Sequence, residues 1–249
     1  MTRAVAITEP FDGCTGRGVR VAIVDSGVNP EHPHVGGVAR GVGINLGGEL
    51  VGDYLDHNGH GTAVAGVIRE KAPDAELFAI KVFDRKLTTN VDTIIKAIEW
   101  AIAEKMDLIN LSLATNNPKH AERLHLVARA AARKRVAIVS ACSIPGSNEQ
   151  LLPGSFPEVF GVGLDWECPR DSYKVTQWDG KSVFLASGYP RDIPGVPPER
   201  NLSGISFAVA NMAGFVARAL QNNPEISLAS LKETLAAGEI RHSGEICLP

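Results

Sequence analysis

The sequence alternates short apolar runs with segments of helical periodicity, and this alternation most limits the folds available to the chain. Apolar, β-rich runs lie at 20–24, 77–82, 107–113 and 136–141. The segment 91–102 between them places its apolar residues on one face of a helix. Such alternation is typical of parallel strands buried on both faces and joined by right-handed helical crossovers. We therefore predict a three-layer α/β fold with a doubly wound, mostly parallel sheet.

The rest of the chain fits the same architecture. Helical patterns are predicted at 61–69, 121–134, 207–220 and 227–236, a weak strand at 42–46, and a continuation of the sheet at 158–164. The turn-rich segment 166–199 favours strands and hairpins. Without a linker, repeat or low-complexity segment, residues 1–249 are expected to form one domain with a core over about 19–236. We recognise no prodomain before residue 19.

Composition excludes several partners. The formal charge of −3 offers no basic patch for nucleic acid or an anionic membrane surface. No apolar run approaches the roughly 20 residues that span a bilayer. Cys14, Cys142, Cys168 and Cys247 are widely spaced and match no metal motif or disulfide framework. Reduced thiols in a cytoplasmic protein are the expected state.

Three polar residues stand in glycine-containing turns: Asp25 at the end of a strand, and His60 and Ser206 at the starts of helices. Functional residues of open α/β sheets collect beyond the carboxyl ends of the strands. A hydroxyl nucleophile needs a base, and that base needs an acid to fix its tautomer. The three residues together predict a catalytic triad. Taken singly, Asp25 could be a strand-end cap, His60 a loop histidine and Ser206 a helix N-cap.

Around these residues the sequence resembles the subtilisin-like serine proteases (subtilases, peptidase family S8), which share the order Asp, His, Ser. The resemblance is carried by 21–27, 59–66 and 204–214 and extends over about 19–236. It implies the subtilisin-like fold and serine endopeptidase activity. Asp25 would orient His60, His60 would act as general base and then acid, and Ser206 would be the nucleophile.

The resemblance also implies three stretches that bind an extended peptide: an edge that pairs with its backbone, an opposite wall, and a pocket for the side chain before the scissile bond. In that order they are Ser112, Leu113 and Ala114; Leu87, Thr88 and Thr89; and Ser140, Ala141 and Cys142. The alternative for all three stretches is sheet core and loop. An extended peptide or protein substrate is the expected partner.

The pattern departs from the family at the oxyanion hole. Ile144 stands where the family has an asparagine, and Ser143 or Asn148 are the candidate substitutes. Loss of one such donor costs about 2.7–4 kcal/mol, a magnitude established for subtilisin itself. The backbone N–H of Ser206 would remain as a donor. Slow or narrowly directed proteolysis, such as processing of one precursor peptide, is therefore expected.

Two other functions remain open at this point. The first is a catalytically impaired subtilase that acts as a peptide-binding module or partner subunit, suggested by Ile144 and by the altered run 209–211 after Ser206. The second is a metal hydrolase, because Asp53, Asp56, His57 and His60 form a dense set of metal-ligand types. The resemblance assigns His60 elsewhere, and the segment 68–72 is short where many subtilases carry a calcium loop. No metal or other cofactor is predicted.

Overall fold

The computed structural model describes residues 5–8, 11, 13–83, 87–143, 150–197 and 200–237, which contain ten strands and five α-helices. The strands are β1 (Val5–Thr8), β2 (Arg20–Asp25), β3 (Arg40–Ile44), β4 (Leu50–Val51), β5 (Glu76–Lys81), β6 (Leu108–Leu111), β7 (Ala137–Ala141), β8 (Phe160–Leu164), β9 (Ser172–Trp178) and β10 (Lys181–Ala186). The helices are α1 (His60–Lys71), α2 (Val91–Ala103), α3 (Ala121–Arg133), α4 (Ile205–Asn222) and α5 (Leu228–Ala237).

The described strands join in one sheet in the order β1-β9-β10-β8-β7-β6-β2-β5-β3-β4. Strands β10 through β3 in that order are parallel, whereas β4 and β9 run antiparallel to their neighbours. After β2 the chain places β3, β4 and β5 on one side of that strand and β6 to β10 on the other, and open α/β sheets bind ligands beyond the carboxyl ends of the strands at such a switch point. The predicted mostly parallel, doubly wound sheet is confirmed.

Each central strand is buried on both faces. In β2, Val21 and Ile23 pack in a core formed with α1, α4 and α5, while Ala22 and Val24 pack in a second core with α2 and α3. This double burial explains why the central strands are continuous apolar runs rather than alternating ones. The three-layer arrangement expected from the sequence is therefore present.

Helix α4 lies in the first of these cores, and every residue over 207–217 is buried. Its small residues allow close packing: a Cβ atom on Gly214 would lie 2.3 Å from the Cβ atom of Lys71 at the end of α1. Because α4 is buried on all sides, the position of Ser206 in its first turn is set by the core. Among the described residues, no helix has the length and apolar character required to cross a bilayer.

The structure differs from the sequence-based expectation at three places. The two peripheral strands β1 and β4 were not predicted, and each pairs with a single neighbour in the sheet. Helix α4 begins at Ile205, with Gly204 in the N-cap position. The N-cap alternative for Ser206 is therefore wrong, because this serine lies inside the first turn.

A single arginine on α1 ties several loops to that helix. The guanidinium of Arg69 donates to the carbonyl oxygens of Val35 at 2.8 Å, Pro73 at 2.7 Å, Ala75 at 2.8 Å and Gly37 at 3.3 Å. A guanidinium offers five N–H donors in a rigid plane, which suits this many acceptors. The side chain thus satisfies carbonyl groups that neither helix nor sheet reaches.

We predict that Arg69→Met lowers the free energy of unfolding by about 2–4 kcal/mol, because several carbonyl groups lose their donor at once. Urea denaturation measures the effect. Arg17→Met is the matched control, since Arg17 is exposed and its partner Asp74 is itself 43% exposed; it should cost less than about 1 kcal/mol. Equal unfolding midpoints for the two variants would contradict the prediction.

Candidate active site

The carboxyl end of β2 meets the N-terminus of α1, and this contact joins Asp25 to His60. The Nδ1 atom of His60 lies 2.7 Å from Oδ1 of Asp25. Asp25 is fully buried, and the same oxygen accepts the backbone N–H of Ser26 at 2.8 Å. A carboxylate can only accept, so Nδ1 carries the proton and the neutral ring presents its lone pair on Nε2. His60 is thereby prepared to act as a base.

Two glycines make this contact possible. A Cβ atom on Gly61 would lie 2.2 Å from the carbonyl oxygen of Gly27 and 3.1 Å from Cβ of Asp25. Gly27 has φ of 102°, and a Cβ atom there would lie 2.4 Å from the carbonyl oxygen of Tyr54. Glycine alone tolerates this conformation and this approach. The glycines beside Asp25 and His60 in the sequence thus have a steric cause.

Asp56 holds the start of α1 in place. Its Oδ1 accepts the Ser26 hydroxyl at 2.9 Å and the amides of Asn58 at 2.8 Å and Gly59 at 2.9 Å. Its Oδ2 accepts hydrogen bonds from the backbone amide of Thr62 at 2.9 Å and from the hydroxyl of the same threonine at 2.6 Å. A carboxylate here satisfies free N–H groups and complements the helix dipole. From the sequence, Asp56 was expected only as a possible metal ligand. An acidic residue just before a helix start is a signal for a residue that stabilises that helix N-terminus.

These contacts give the metal-hydrolase alternative no support. Within the described ranges, no group of three or more His, Cys, Asp or Glu residues could hold a metal ion. Asp53 pairs with Lys81 at 2.8 Å, and its Oδ2 lies 3.7 Å from Nε2 of His57. Asp56 and His60 are engaged in the hydrogen bonds described above.

Burial and the neighbouring groups shift the pKa values of His60 and Asp56 in opposite directions. Burial of the His60 ring favours its neutral form, but the hydrogen bond and charge of Asp25, together with the charge of Asp56, outweigh it. The pKa of His60 is therefore raised above its ordinary 6.5. Burial also opposes ionisation of Asp56, yet the hydrogen bonds from Thr62, Asn58 and Gly59 prevail and lower the pKa of that carboxyl. Asp56 is thus charged at neutral pH.

Ser206 lies in the same groove as His60. Its hydroxyl donates to the carbonyl oxygen of Ser112 at 3.5 Å, and in the described part of the chain no hydrogen bond joins it to His60. The rings of His60 and Phe207, the residue after Ser206, are 5.6 Å apart between centroids. Catalytic hydrogen bonds are often long or misaligned before substrate binds. The structure thus brings hydroxyl and imidazole together without a direct bond.

The groove that contains His60 and Ser206 has a volume of about 760 Å³, and we call it the Ser206 groove. Two of the three predicted substrate-binding stretches form its walls. They are Leu87, Thr88 and Thr89, and Ser112, Leu113 and Ala114. The lining is completed by Phe83, Asn90, Val91, Asp92, Ile94, Thr115 and His120.

The third predicted stretch does not line this groove. Ser140 and Ala141 are buried at the end of β7, where the Ser140 hydroxyl donates to the carbonyl oxygen of Leu113 at 3.3 Å. Cys142 and Ser143 line a separate cavity of about 650 Å³. Burial raises the pKa of the Cys142 thiol to about 12, so Cys142 is not a thiolate at neutral pH. The binding role of this stretch stays a prediction.

The predicted oxyanion residues are only partly described. The hydroxyl oxygen of Ser143 accepts the backbone N–H of Leu151 at 3.0 Å, which fixes this side chain against the loop before β8. Ile144 and Asn148 lie outside the described residues. The composition of the oxyanion hole therefore stays a prediction.

Fold and site together define a subtilisin-like α/β protein. A crystal structure of a cold adapted subtilisin-like serine proteinase superposes with a TM-score of 0.71 at 21% identity, covering 93% of this chain and 86% of that one. The model of the subtilase family matches residues 16–238. The chain belongs to the subtilase family, as the resemblance in the sequence implied.

Curated relatives agree with this assignment. Subtilisin E of Bacillus subtilis (strain 168) is 30% identical over 246 residues, which cover 90% of this chain and 61% of that protein. The intracellular serine protease of Paenibacillus polymyxa is 30% identical over 253 residues, which cover 90% and 76% of the two chains. The chain thus spans about three fifths of the length of subtilisin E.

We predict that Asp56→Asn lowers the free energy of unfolding by about 2–3 kcal/mol, because an amide NH₂ group would face N–H groups that need an acceptor. The pKa of His60 should fall as well, since one of the charges that raise it is removed. Urea denaturation and an NMR titration of the His60 ring measure the two effects. Asp74→Asn, beyond the opposite end of α1, is the control, and an unchanged His60 titration in Asp56→Asn would count against the electrostatic role.

Proposed function

We propose that the protein is a serine endopeptidase in which Asp25, His60 and Ser206 form a catalytic triad. The observation that carries the proposal is the placement of a buried Asp25–His60 pair and of Ser206 at one groove. Membership of the subtilase family supports the same reading. The groove lies at the carboxyl ends of β2 and β6, where open α/β sheets place their ligands.

In the proposed reaction, Oγ of Ser206 attacks the peptide carbonyl carbon while Nε2 of His60 takes the hydroxyl proton. The imidazolium that forms is stabilised by the negative charge of Asp25. His60 then gives the proton to the leaving amine as the peptide bond breaks, which leaves an acyl-enzyme on Ser206. A water molecule, deprotonated by His60, hydrolyses that ester and restores the serine.

The charge on the substrate oxygen is proposed to meet the backbone N–H of Ser206 in the first turn of α4, where the helix dipole favours an anion. Ser143 or Asn148 is proposed as the second donor, because Ile144 offers none. The separate pocket for the side chain before the scissile bond is proposed to include Ser140, Ala141 and Cys142.

An extended peptide is the proposed substrate. Its backbone would pair with Ser112, Leu113 and Ala114, which continue from β6, and the opposite wall would be 87–89. Support comes from the two walls of the Ser206 groove. We further propose a single peptidase domain over 1–249 with a core over about 19–236.

A cytoplasmic setting is part of the proposal. Cys142 and Cys168 are free and buried, as expected for a protein that does not depend on disulfides. The name of the Paenibacillus polymyxa relative, an intracellular serine protease, points the same way. Nucleic acid and membrane are not proposed as partners.

We predict that a fluorophosphonate probe labels the wild-type protein on Ser206, because only an activated serine attacks such a probe. Ser206→Ala should abolish labelling, and Ser203→Ala, an exposed serine three residues away, should leave it unchanged. Asp25→Asn should slow labelling by about 10⁴-fold, since the imidazole loses its orienting acid. An unlabelled wild type, or labelling that persists in Ser206→Ala, would refute the triad.

We predict that kcat/KM for a cleavable peptide rises with pH through a midpoint above 6.5. The catalytic form of His60 is neutral, and its carboxylate neighbours favour the protonated form, so activity appears only as pH exceeds the raised pKa. Asp56→Asn should shift the midpoint downward. A midpoint at or below 6.5 in the wild type would show that these charges do not control the base.

A second candidate function is a peptide-binding module without turnover. It is favoured by one observation, the bond from the Ser206 hydroxyl to Ser112 rather than to His60. Peptide affinity that is equal in the wild type and Ser206→Ala, with no cleavage product, would establish it. If cleavage is found, comparing casein with a candidate precursor peptide tests whether the enzyme is a dedicated processing protease; equal cleavage of both would exclude that role.

A further inference from the structure

A second groove, of about 790 Å³, adjoins the Ser206 groove, and Phe83 and Thr88 line both. Its other wall comes from the end of β3, the turn that follows and β4. We call it the hairpin groove, and its main lining residues are Ile44, Leu46, Val51, Val82, Phe83 and Thr88. The assigned steps of the proposed reaction do not use this groove.

The hairpin groove presents apolar surface to solvent. Leu46 is 64% exposed and Val51 is 41% exposed, although both are large apolar residues. The charged residues that line the groove, Lys81 and Asp53, are paired at 2.8 Å, and Lys81 also donates to the carbonyl oxygen of Leu55 at 2.9 Å. With its charges paired internally, the groove favours an uncharged, apolar ligand.

The turn after β3, which forms one wall, is fastened to the start of α2. The side-chain amide of Asn90, which caps α2, donates to the carbonyl oxygen of Leu46 at 3.0 Å. The hydroxyl of Thr93 donates to the carbonyl oxygen of Asn45 at 3.3 Å. In the turn itself, Oδ1 of Asn45 accepts the amides of Gly47 and Glu49, both at 3.0 Å. The groove is therefore formed before any ligand arrives, as ligand sites usually are.

We propose that the hairpin groove binds an apolar segment of the same peptide whose scissile bond lies at Ser206. This inference rests on the proposed function. A peptide held between 87–89 and 112–114 lies against Phe83 and Thr88, and these two residues open directly onto the hairpin groove. Large apolar side chains of that peptide enter past them and cover Leu46 and Val51. Such a contact at a distance from the reacting bond selects among substrates.

The test uses two pairs of peptides with identical residues around the cleaved bond. In one pair a variable segment lies before the bond, in the other it lies after the bond, and its separation from the bond matches the separation of the hairpin groove from Ser206. Within each pair, this segment is leucine-rich in one peptide and has serines in place of the leucines in the other. The variants are Leu46→Ser and Val51→Ser, which alter exposed side chains. The control is Leu126→Ser, equally apolar and 61% exposed but located on α3.

The expected result is a loss of about tenfold in kcat/KM for one leucine-rich version in each groove variant, with no change for the serine peptide. In Leu126→Ser, kcat/KM for every peptide should equal the wild-type value. Fluorophosphonate labelling of Ser206 should be unchanged in all three variants. Equal kcat/KM for leucine-rich and serine peptides in the wild type would overturn the proposal. So would groove variants that affect both peptides alike.

Failure of the proposed function has a different signature. If the wild type is neither labelled nor able to cleave, the same leucine-rich peptides, carrying a fluorophore, are titrated against it and read by anisotropy. Weaker binding to Leu46→Ser than to Leu126→Ser would keep the groove as a peptide site, and equal binding would remove it. A wild-type dimer that Leu46→Ser dissociates in sedimentation would instead make the groove a self-association surface and overturn the proposal.

Discussion

The close approach of α1 to the end of β2 is the contact on which the rest of the site depends. A side chain on Gly61 would collide with the carbonyl of Gly27 at 2.2 Å, so the helix can begin there only without a Cβ atom. That approach sets the 2.7 Å bond between His60 and Asp25. It also sets the direction of the His60 ring toward the groove, because the same helix start fixes the backbone of His60. Any larger residue at 61 would separate the base from its acid.

This arrangement buries negative charge, and the local structure offsets the cost. A buried carboxylate without partners costs several kcal/mol, whereas hydrogen bonds from nearby donors reduce that cost. Oδ1 of Asp25 has the Ser26 amide and His60, its buried Oδ2 has no partner within the described residues, and Asp56 has donors on both of its oxygens. The two carboxylates raise the pKa of His60 together. The same charges that stabilise the imidazolium therefore also set the pH at which the base becomes available.

Much of this architecture was predictable from the sequence, because the information is local. The apolar runs of β2 and β7 and the one-face spacing of α2 identified a parallel sheet between helical layers. Strand β1 was missed because its partner, β9, lies far along the chain, and β4 was missed because two residues are too few to show a periodic pattern.

At the site, residue types predicted the chemistry but not the supporting contacts. The role of Asp56 depends on backbone amides that only the folded loop brings together. The walls of the Ser206 groove were predicted through the family resemblance. The hairpin groove had no signal in the sequence, because its apolar residues come from separate segments. The position of the Ser206 hydroxyl likewise depends on a rotamer, which no sequence pattern specifies.

That rotamer links substrate binding to activation of the nucleophile. The carbonyl oxygen that accepts the Ser206 hydroxyl belongs to Ser112, which is also the first residue of the edge proposed to pair with a peptide. A peptide strand along 112–114 offers N–H donors that compete with the serine for that carbonyl. A hydroxyl displaced from Ser112 must find another acceptor to avoid the cost of an unsatisfied polar group. Nε2 of His60, in the same groove and held with its lone pair available, is the acceptor of matching chemistry.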